Sequence, residues 1–430
     1  MDPIARQRLR EEAGFAFIEV LVSAVLVVLV SLGVYAGIDG ASFTSGINKH
    51  RSVATELAQQ DQDRMRAMTV AELSNYRATN TATVGGVTFT INSSASWVTD
   101  STGSASCAAA SAQANYLRIA SSVTWPRMTI PPITIESITA PPNGSFGPGQ
   151  GSLAVQVRDR NGAGVPGVVT TLTGPQGYTD TANANGCVLW GYLPVGNYNV
   201  AVTKAGYVDP SGASAPTKPI GVVGEATTTL AFDYDLGGQI NAQYQTWNGS
   251  AAVAANGTSY TASNPNLTVP LPPFGDGQPH ASFLSSAVYP FTVAYSVYAG
   301  SCAGADPTLY SQPAQTALVT PGGLANVTLR EPPINLTVVN GATPVSGATV
   351  KLTGTAAGCG ALPARTTGAT GLLTDVAFPY GTYTFCVQSG TLKQTKTTTN
   401  ATTLSDTTPT GIAASGATVN MATGTTGTCP

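Results

Sequence analysis

Residues 15–38 read FAFIEVLVSAVLVVLVSLGVYAGI, 24 residues carrying one charge, Glu19. As a helix rising about 1.5 Å per residue, such a stretch is long enough to cross a bilayer core of about 30 Å. Arg6, Arg8 and Arg10 precede it. Positive residues stay on the cytoplasmic side, so the N-terminus is expected inside and the rest of the chain outside. Asp2, Glu11 and Glu12 cancel the local net charge, but acidic residues weigh little in that rule.

Two simple explanations of this segment leave something over. A plain signal anchor accounts for the hydrophobicity but not for Glu19, because a carboxylate deep in a membrane helix costs about 2.5–3.5 kcal/mol and marks a functional position. An ordinary secretory signal would be cut after its apolar core, and Val34-Tyr35-Ala36 has the small-residue form of such a site. The apolar run, however, exceeds the about 7–15 residues of a typical signal core.

Gly14-Phe15-Ala16-Phe17-Ile18-Glu19 resembles the prepilin cleavage motif of type IV pilins and pseudopilins, and the resemblance covers residues 1–76 closely. It implies that a membrane-bound prepilin peptidase cuts between Gly14 and Phe15 and that the new amine of Phe15 is methylated. Glu19 would then pair with that amine, on its own or a neighbouring subunit, as the filament assembles. A carboxylate withdrawn from water needs such a partner. The partners implied are other pilin subunits, the peptidase and the cytoplasmic membrane. The expected route is a single-pass precursor followed by display on an extracellular filament. A pseudopilin of a type II secretion or DNA-uptake machine is the alternative, since both share this N-terminus.

The helical pattern continues beyond the apolar run. Ile47, Ala54, Leu57, Ala58, Met65 and Met68 recur near helical spacing and give one apolar stripe. Thr69-Val70-Ala71-Glu72 has the form of a capping box, which predicts a break near Met68–Thr69 and a short second helix to about Asn75. Gly33, Gly37, Gly40 and Gly46 each weaken a helix interior by about 1 kcal/mol. They predict either a zone that stretches and unwinds or a surface for close helix packing.

The remainder has a different composition. Residues 1–76 hold 16 of the 41 charged side chains, and the later chain is rich in Thr, Ala, Gly, Ser, Val and Pro. Uncharged Thr/Val-rich sequence broken by Gly and Pro reads as short strands and turns. Strands are expected around Val87–Ile91 and Tyr116–Trp125, forming a small sheet packed on the helix, and Pro131 to Gly144 marks a linker. An internal repeat follows. Val165-Pro166-Gly167-Val168 to Leu172-Thr173-Gly174 matches Val345-Ser346-Gly347-Ala348 to Leu352-Thr353-Gly354. Gly186 to Leu193-Pro194-Val195-Gly196-Asn197-Tyr198 matches Gly371 to Phe378-Pro379-Tyr380-Gly381-Thr382-Tyr383. Units of about 70 residues suit small sandwiches rather than solenoid repeats.

The repeat resembles the carboxypeptidase regulatory-like, transthyretin-type β-sandwich, and residues 236–331 read as a divergent middle copy. Related adhesin sandwiches form Lys–Asn isopeptide bonds. Neither Leu153–Val157 nor Ile334–Val338 supplies the lysine, and no acidic residue follows Tyr198 or Tyr383, so none is expected here.

The expected fold class is therefore α+β: a long N-terminal helix, a small sheet, then tandem all-β sandwiches. The expected division is 1–14 leader, 15–76 helix, 77–140 small sheet, 150–224 first sandwich, 225–331 second, and 332–430 third with a C-terminal tail.

Six cysteines, Cys107, Cys187, Cys302, Cys359, Cys386 and Cys429, all follow the apolar segment and suit an oxidising compartment. Cys359 and Cys386 lie in one repeat and are expected to pair; the other four leave three pairings open, of which 187–302 with 107–429 is one. No CxxC pair and only two histidines, His50 and His280, give neither a zinc site nor a Ser/His/Asp triad. No enzyme activity, cofactor or metal is expected. Asp233 and Asp235 read as a solvated turn rather than a cation site. A net charge of -3 argues against a nucleic-acid partner. A surface or host ligand for the sandwiches is the remaining expected partner.

Overall fold

The computed structural model describes residues 3–430 except 101–104, 108–113, 129, 142–146, 248–250, 357, 374–377 and 401–414. The side chains of residues 3–17, 39, 42, 334–335, 398–400 and 415–417 also lie outside the described set. The chain divides into two compact units. The first comprises residues 1–104, 113–146 and 190–192, and the second residues 105–112, 147–189 and 193–430. The fold is α+β, one long helix with all-β domains.

Helix α1 runs Pro3–Arg66, 64 residues without a break. Of the two readings of Gly33, Gly37, Gly40 and Gly46, unwinding does not occur. A glycine keeps its backbone hydrogen bonds, so the ladder runs through these positions at a cost of about 1 kcal/mol each. The break comes where the capping box predicts. Glu72 N donates to Thr69 Oγ1 at 3.3 Å, and Thr69 N donates to Glu72 Oε2 at 2.8 Å. Helix α2, Val70–Leu73, stops short of the expected Asn75, which adopts a left-handed φ of 60°.

Four antiparallel strands follow: β1 (Arg77–Val84), β2 (Val87–Val98), β3 (Tyr116–Thr124) and β4 (Ile133–Thr139), in spatial order β1-β2-β3-β4. Alternation along β2 and β3 turns one face inward. Phe89, Ile91, Val123 and Trp125 close over Ala54 and Ala58 of α1. The two alanines let the helix axis come close to the sheet.

The second unit holds three successive pairs of sheets. In the first pair, Thr227–Asp233, Gln150–Arg158 and Cys187–Pro194 face Thr217–Val222, Gly196–Thr203, Val169–Thr173 and Tyr178–Thr181. All three pairs share one topological feature: the opening strand lies parallel to the closing strand. Ser152–Arg158 pairs with Thr227–Asp233, Gln239–Gln245 with Leu324–Arg330, and Ile334–Val339 with Ser415–Asn420.

The repeat seen in sequence is reproduced bond for bond. Val157 N donates to Gly186 O and Val338 N to Gly371 O, both at 2.8 Å. Gly186 and Gly371 adopt φ of 68° and 72°, and a Cβ on either would meet the carbonyl of that same valine. Tyr198 Oη donates to Pro194 O and Tyr383 Oη to Pro379 O, each at 2.9 Å.

The cysteine pairing expected from sequence is corrected. The disulfides join Cys107 to Cys187, Cys302 to Cys359, and Cys386 to Cys429. Cys359 and Cys386 do not meet. Gly354 is opposite Tyr383, so Cys359 lies in the loop past one end of its strand, while Cys386 is three residues further along the partner strand. That separation is about 10 Å along the ladder, beyond the about 4.4–6.8 Å between Cα atoms that a disulfide tolerates. The C-terminal tail supplies the partner instead. Thr425–Thr426 pairs with Leu392–Lys393, and Cys429 N donates to Gln388 Oε1 at 3.1 Å.

Candidate functional site

Helix α1 has two contrasting halves. From Ile18 to Ile38 every described residue is exposed, and the large apolar side chains range from 51% for Val25 to 77% for Tyr35. Glu19 is exposed within this bare stretch. The side chains of Gly14 and Phe15, the expected cleavage and methylation positions, lie outside the described residues.

Further along, the same helix buries polar groups. Gln62, 2% exposed, donates Nε2 to Ile119 O at 3.1 Å and Ile135 O at 2.8 Å, and its Oε1 accepts from Ser137 Oγ at 2.7 Å. Asp61, 6% exposed, accepts from Arg64 Nη2 at 2.7 Å and from Ser93 Oγ at 2.8 Å. Hydrogen bonding to Asp61, then to Tyr76, raises the Arg64 pKa above its usual value. These bonds fix both the rotation and the axial position of α1 on the sheet, which apolar packing alone leaves free to slide. The sequence stripe misses Asp61 and Gln62, because an apolar periodicity contains no sign of a buried polar residue.

In the second unit, Asp233 and Asp235 hold the chain itself. Arg158 Nε pairs with Asp233 Oδ1 at 2.6 Å. Asp235 Oδ2 accepts from Arg160 N at 3.2 Å, and its Oδ1 from Leu236 N at 2.7 Å. Among the described residues no group of three or more His, Cys, Asp or Glu could hold a metal ion.

The least expected group is Glu331, in the connection between the second and third sandwiches. Its N–H donates to Gln245 O and its carbonyl accepts from Thr246 Oγ1, both at 2.9 Å. Its carboxyl is buried, and Oε2 has no hydrogen-bond partner. Burial pushes that carboxyl up to about 8, with the Arg365 charge pulling the other way. Burial also raises the phenols of Tyr244 and Tyr383 well above their usual range. The Cys302–Cys359 disulfide joins the same two sandwiches. A lone Glu before Pro332-Pro333 carries no sequence sign of this burial.

No family model matches the chain, and no curated protein matches it. Among solved structures, it is similar to the Bacillus anthracis TIE protein at 11% identity and a TM-score of 0.22, over 80% of this chain and 73% of that one. It is also similar to GBS52, the minor pilin of Streptococcus agalactiae, at 12% identity and 0.23, over 42% and 95%. A third is BcpA, the major pilin subunit of Bacillus cereus, at 12% and 0.19, over 63% and 99%. At these identities and scores the similarities assign neither an overall arrangement nor an activity to this chain.

The family resemblances drawn from sequence are corrected accordingly. No family model supports type IV pilins or pseudopilins at residues 14–19, or the carboxypeptidase regulatory-like, transthyretin-type sandwich in the repeats. A six-residue motif at the head of an apolar helix is short, and its glycine, phenylalanine and glutamate are compatible with other membrane helices. Cleavage after Gly14, methylation of Phe15 and a prepilin peptidase came with that resemblance alone and are not carried further.

Proposed function

We propose that the chain is a non-enzymatic structural subunit of a pilus-like surface filament. In this reading the apolar half of α1 lies in a membrane or against other subunits, and the sandwiches stand outside. The observation that carries it is the bare helix. Between Ile18 and Ile38 thirteen large aliphatic side chains stand exposed, far beyond what a soluble surface leaves to water, so lipid or other helices must cover them. One face of the later half of the same helix, Ala54, Ala58, Asp61, Gln62 and Met65, is buried in the first unit, whereas the apolar half is bare. Three disulfides among the β-domains suit an oxidising exterior.

Within this reading Glu19 is the assembly contact. A lone carboxylate in an apolar helix requires a cation from a neighbouring subunit once water is excluded. The three sandwiches, divided between Asp233 and Gln239 and near Glu331, form the displayed part and carry any surface or host ligand.

The test is fractionation of cells producing the full chain, with immunogold labelling of the surface. The expected result is protein in the membrane and in a sheared surface fraction that contains filaments. Soluble intracellular protein absent from both fractions overturns the reading. Glu19→Ala is expected to keep the membrane pool and deplete the sheared fraction.

A further inference from the structure

The second and third sandwiches meet at a joint that one disulfide spans. The chain crosses it in Glu331-Pro332-Pro333, between the closing strand Leu324–Arg330 and the opening strand Ile334–Asn340. Cys302 lies before this crossing and Cys359 after it, so their bond ties the two sandwiches independently of the chain. Cys302 precedes the short turn Ala303–Ala305, and Cys359 N donates to Ala356 O at 3.0 Å in a turn after Gly354. Tyr310 and Tyr380 stack across the same joint with ring centroids 5.7 Å apart.

This disulfide differs from the other two in what can reach it. Cys107, Cys187, Cys386 and Cys429 are each no more than 6% exposed. Cys302 and Cys359 are half-buried and line a cleft of about 210 Å³. Exposed Gly275, Gly277, Ser301, Gly360 and Ala361 form its mouth. None of the described residues lining it carries a charge, so an incoming thiolate meets no carboxylate there. The cleft is smaller than the about 300–1,000 Å³ of a drug-sized pocket, and it suits the thiol end of a small molecule.

The closed joint is held against a cost. Glu331 Oε2 and Tyr244 Oη are buried there without hydrogen-bond partners. Returning such atoms to water recovers the hydration they lost, so these two groups favour opening and the bridge opposes it. Opening would loosen the backbone bonds of Glu331, its N–H to Gln245 O and its carbonyl from Thr246 Oγ1.

We propose that Cys302–Cys359 is a thiol–disulfide exchange site for small thiols, and that its reduction unlatches the third sandwich from the second. A thiolate attacks one sulfur through the cleft and forms a mixed disulfide. The other cysteine leaves as a thiolate and takes up a proton. A second small thiol, as its thiolate, attacks the mixed disulfide at the small molecule's sulfur. The two small molecules depart joined as a disulfide, and the second cysteine takes up a proton in turn. The bridge is thus reduced by the two electrons that the small thiols lose. The other two disulfides, covered by their surroundings, stay oxidised, and the sandwiches keep their folds while the joint loosens. None of this depends on where the apolar half of α1 lies.

The test exposes the full chain in detergent to reduced glutathione, then to iodoacetamide, and follows each cysteine by mass spectrometry. No cysteine is free at the outset, so every label reports a reduced bridge. Cys302 and Cys359 are expected to be labelled about tenfold faster than the other four. Hydrogen exchange at the Glu331 amide is expected to rise several-fold after that labelling, and equally in Cys302→Ser with Cys359→Ser, while exchange in strand Thr349–Gly354 stays unchanged. Equal labelling of all six cysteines, or earlier labelling of Cys386 and Cys429, overturns the exchange site. Reduction by reduced thioredoxin but not by glutathione assigns the bridge to a protein reductant and also overturns it. Selective labelling with unchanged exchange at Glu331 overturns the latch. Faster exchange in both segments means that the sandwich unfolds with its bridge, which overturns the latch as well.

Discussion

Asp61 and Glu331 are both carboxyl groups withdrawn from water, and the chain treats them in opposite ways. In the first unit Asp61 is bonded to Arg64 and Ser93. In the second, Glu331 Oε2 has no hydrogen-bond partner and its carboxyl is pushed up to about 8. The difference is one of geometry. Asp61 sits three residues before Arg64 on a helix, where side chains at that spacing meet, and opposite a serine on the sheet. Glu331 sits in an extended connection between two cores, where the Oη of neighbouring Tyr244 is likewise without a hydrogen-bond partner. A satisfied polar group fixes register at little cost. An unsatisfied one makes a joint depend on protons.

Raising the pH is the strongest way to sharpen this contrast. The folded pKa of Glu331 is raised from 4.5 to about 8. Its contribution to stability is therefore complete below about pH 4.5 and is lost as the pH rises through 8, because the folded state then gives up a proton it held more tightly than the unfolded chain. The groups facing it are Tyr244 from the opening strand of the second sandwich, and Arg365 and Tyr383 from the third. The loss amounts to about 5 kcal/mol at most. Thermal unfolding at pH 5 and pH 9 should show the second unit weakening at the higher pH while the first does not. Glu331→Gln should flatten the dependence, and an unchanged dependence in that variant would assign it to another group.

The disulfide at the same joint gives the next effect. Cys302–Cys359 closes a separation of 57 residues, and its removal by Cys302→Ser with Cys359→Ser should cost about 4 kcal/mol on the chain-entropy account. Calorimetry of the double variant measures it. A loss well below 1 kcal/mol would mean that the buried connection holds the two sandwiches without the bridge.

On the other side of the comparison, Gln62→Leu leaves the carbonyls of Ile119 and Ile135 without their side-chain donor. It should destabilise the helix–sheet contact by about 1–3 kcal/mol, and Trp97 or Trp125 fluorescence during urea unfolding reports it. Asp61→Asn should cost less than Gln62→Leu, because Asn keeps an acceptor for Ser93 Oγ and Arg64 is partly exposed. The smallest effect belongs to the cap. Thr69→Ala removes one side-chain bond to an N–H at the start of α2 and should cost about 1 kcal/mol, readable as a small shift in the same urea curve.

The parts of the fold visible in sequence were those written in local rules. The apolar run, the capping box at Thr69 and the strands near Val87 and Tyr116 follow from hydropathy, side-chain capping and alternation. The 165–203 and 345–389 repeat was legible because its turns demand glycine: Gly186 and Gly371 can be nothing larger without striking a backbone carbonyl. The N-terminal motif, by contrast, suggested a family from six residues, and the family comparison did not support it.

Sequence alone determined that a long apolar helix leads into cysteine-bearing β-domains, because hydropathy and turn chemistry act over a few residues and survive in any context. Tertiary structure alone decided which cysteines pair, which polar residues are buried, and that Glu331 lies between two cores. Cys359 is 27 residues from Cys386 in sequence, yet its partner is Cys302, because strand register and the returning C-terminal tail set the distances between sulfur atoms. Burial of Gln62 and Glu331 likewise depends on which surfaces come together, and no pattern along one strand or helix records the surface that covers it.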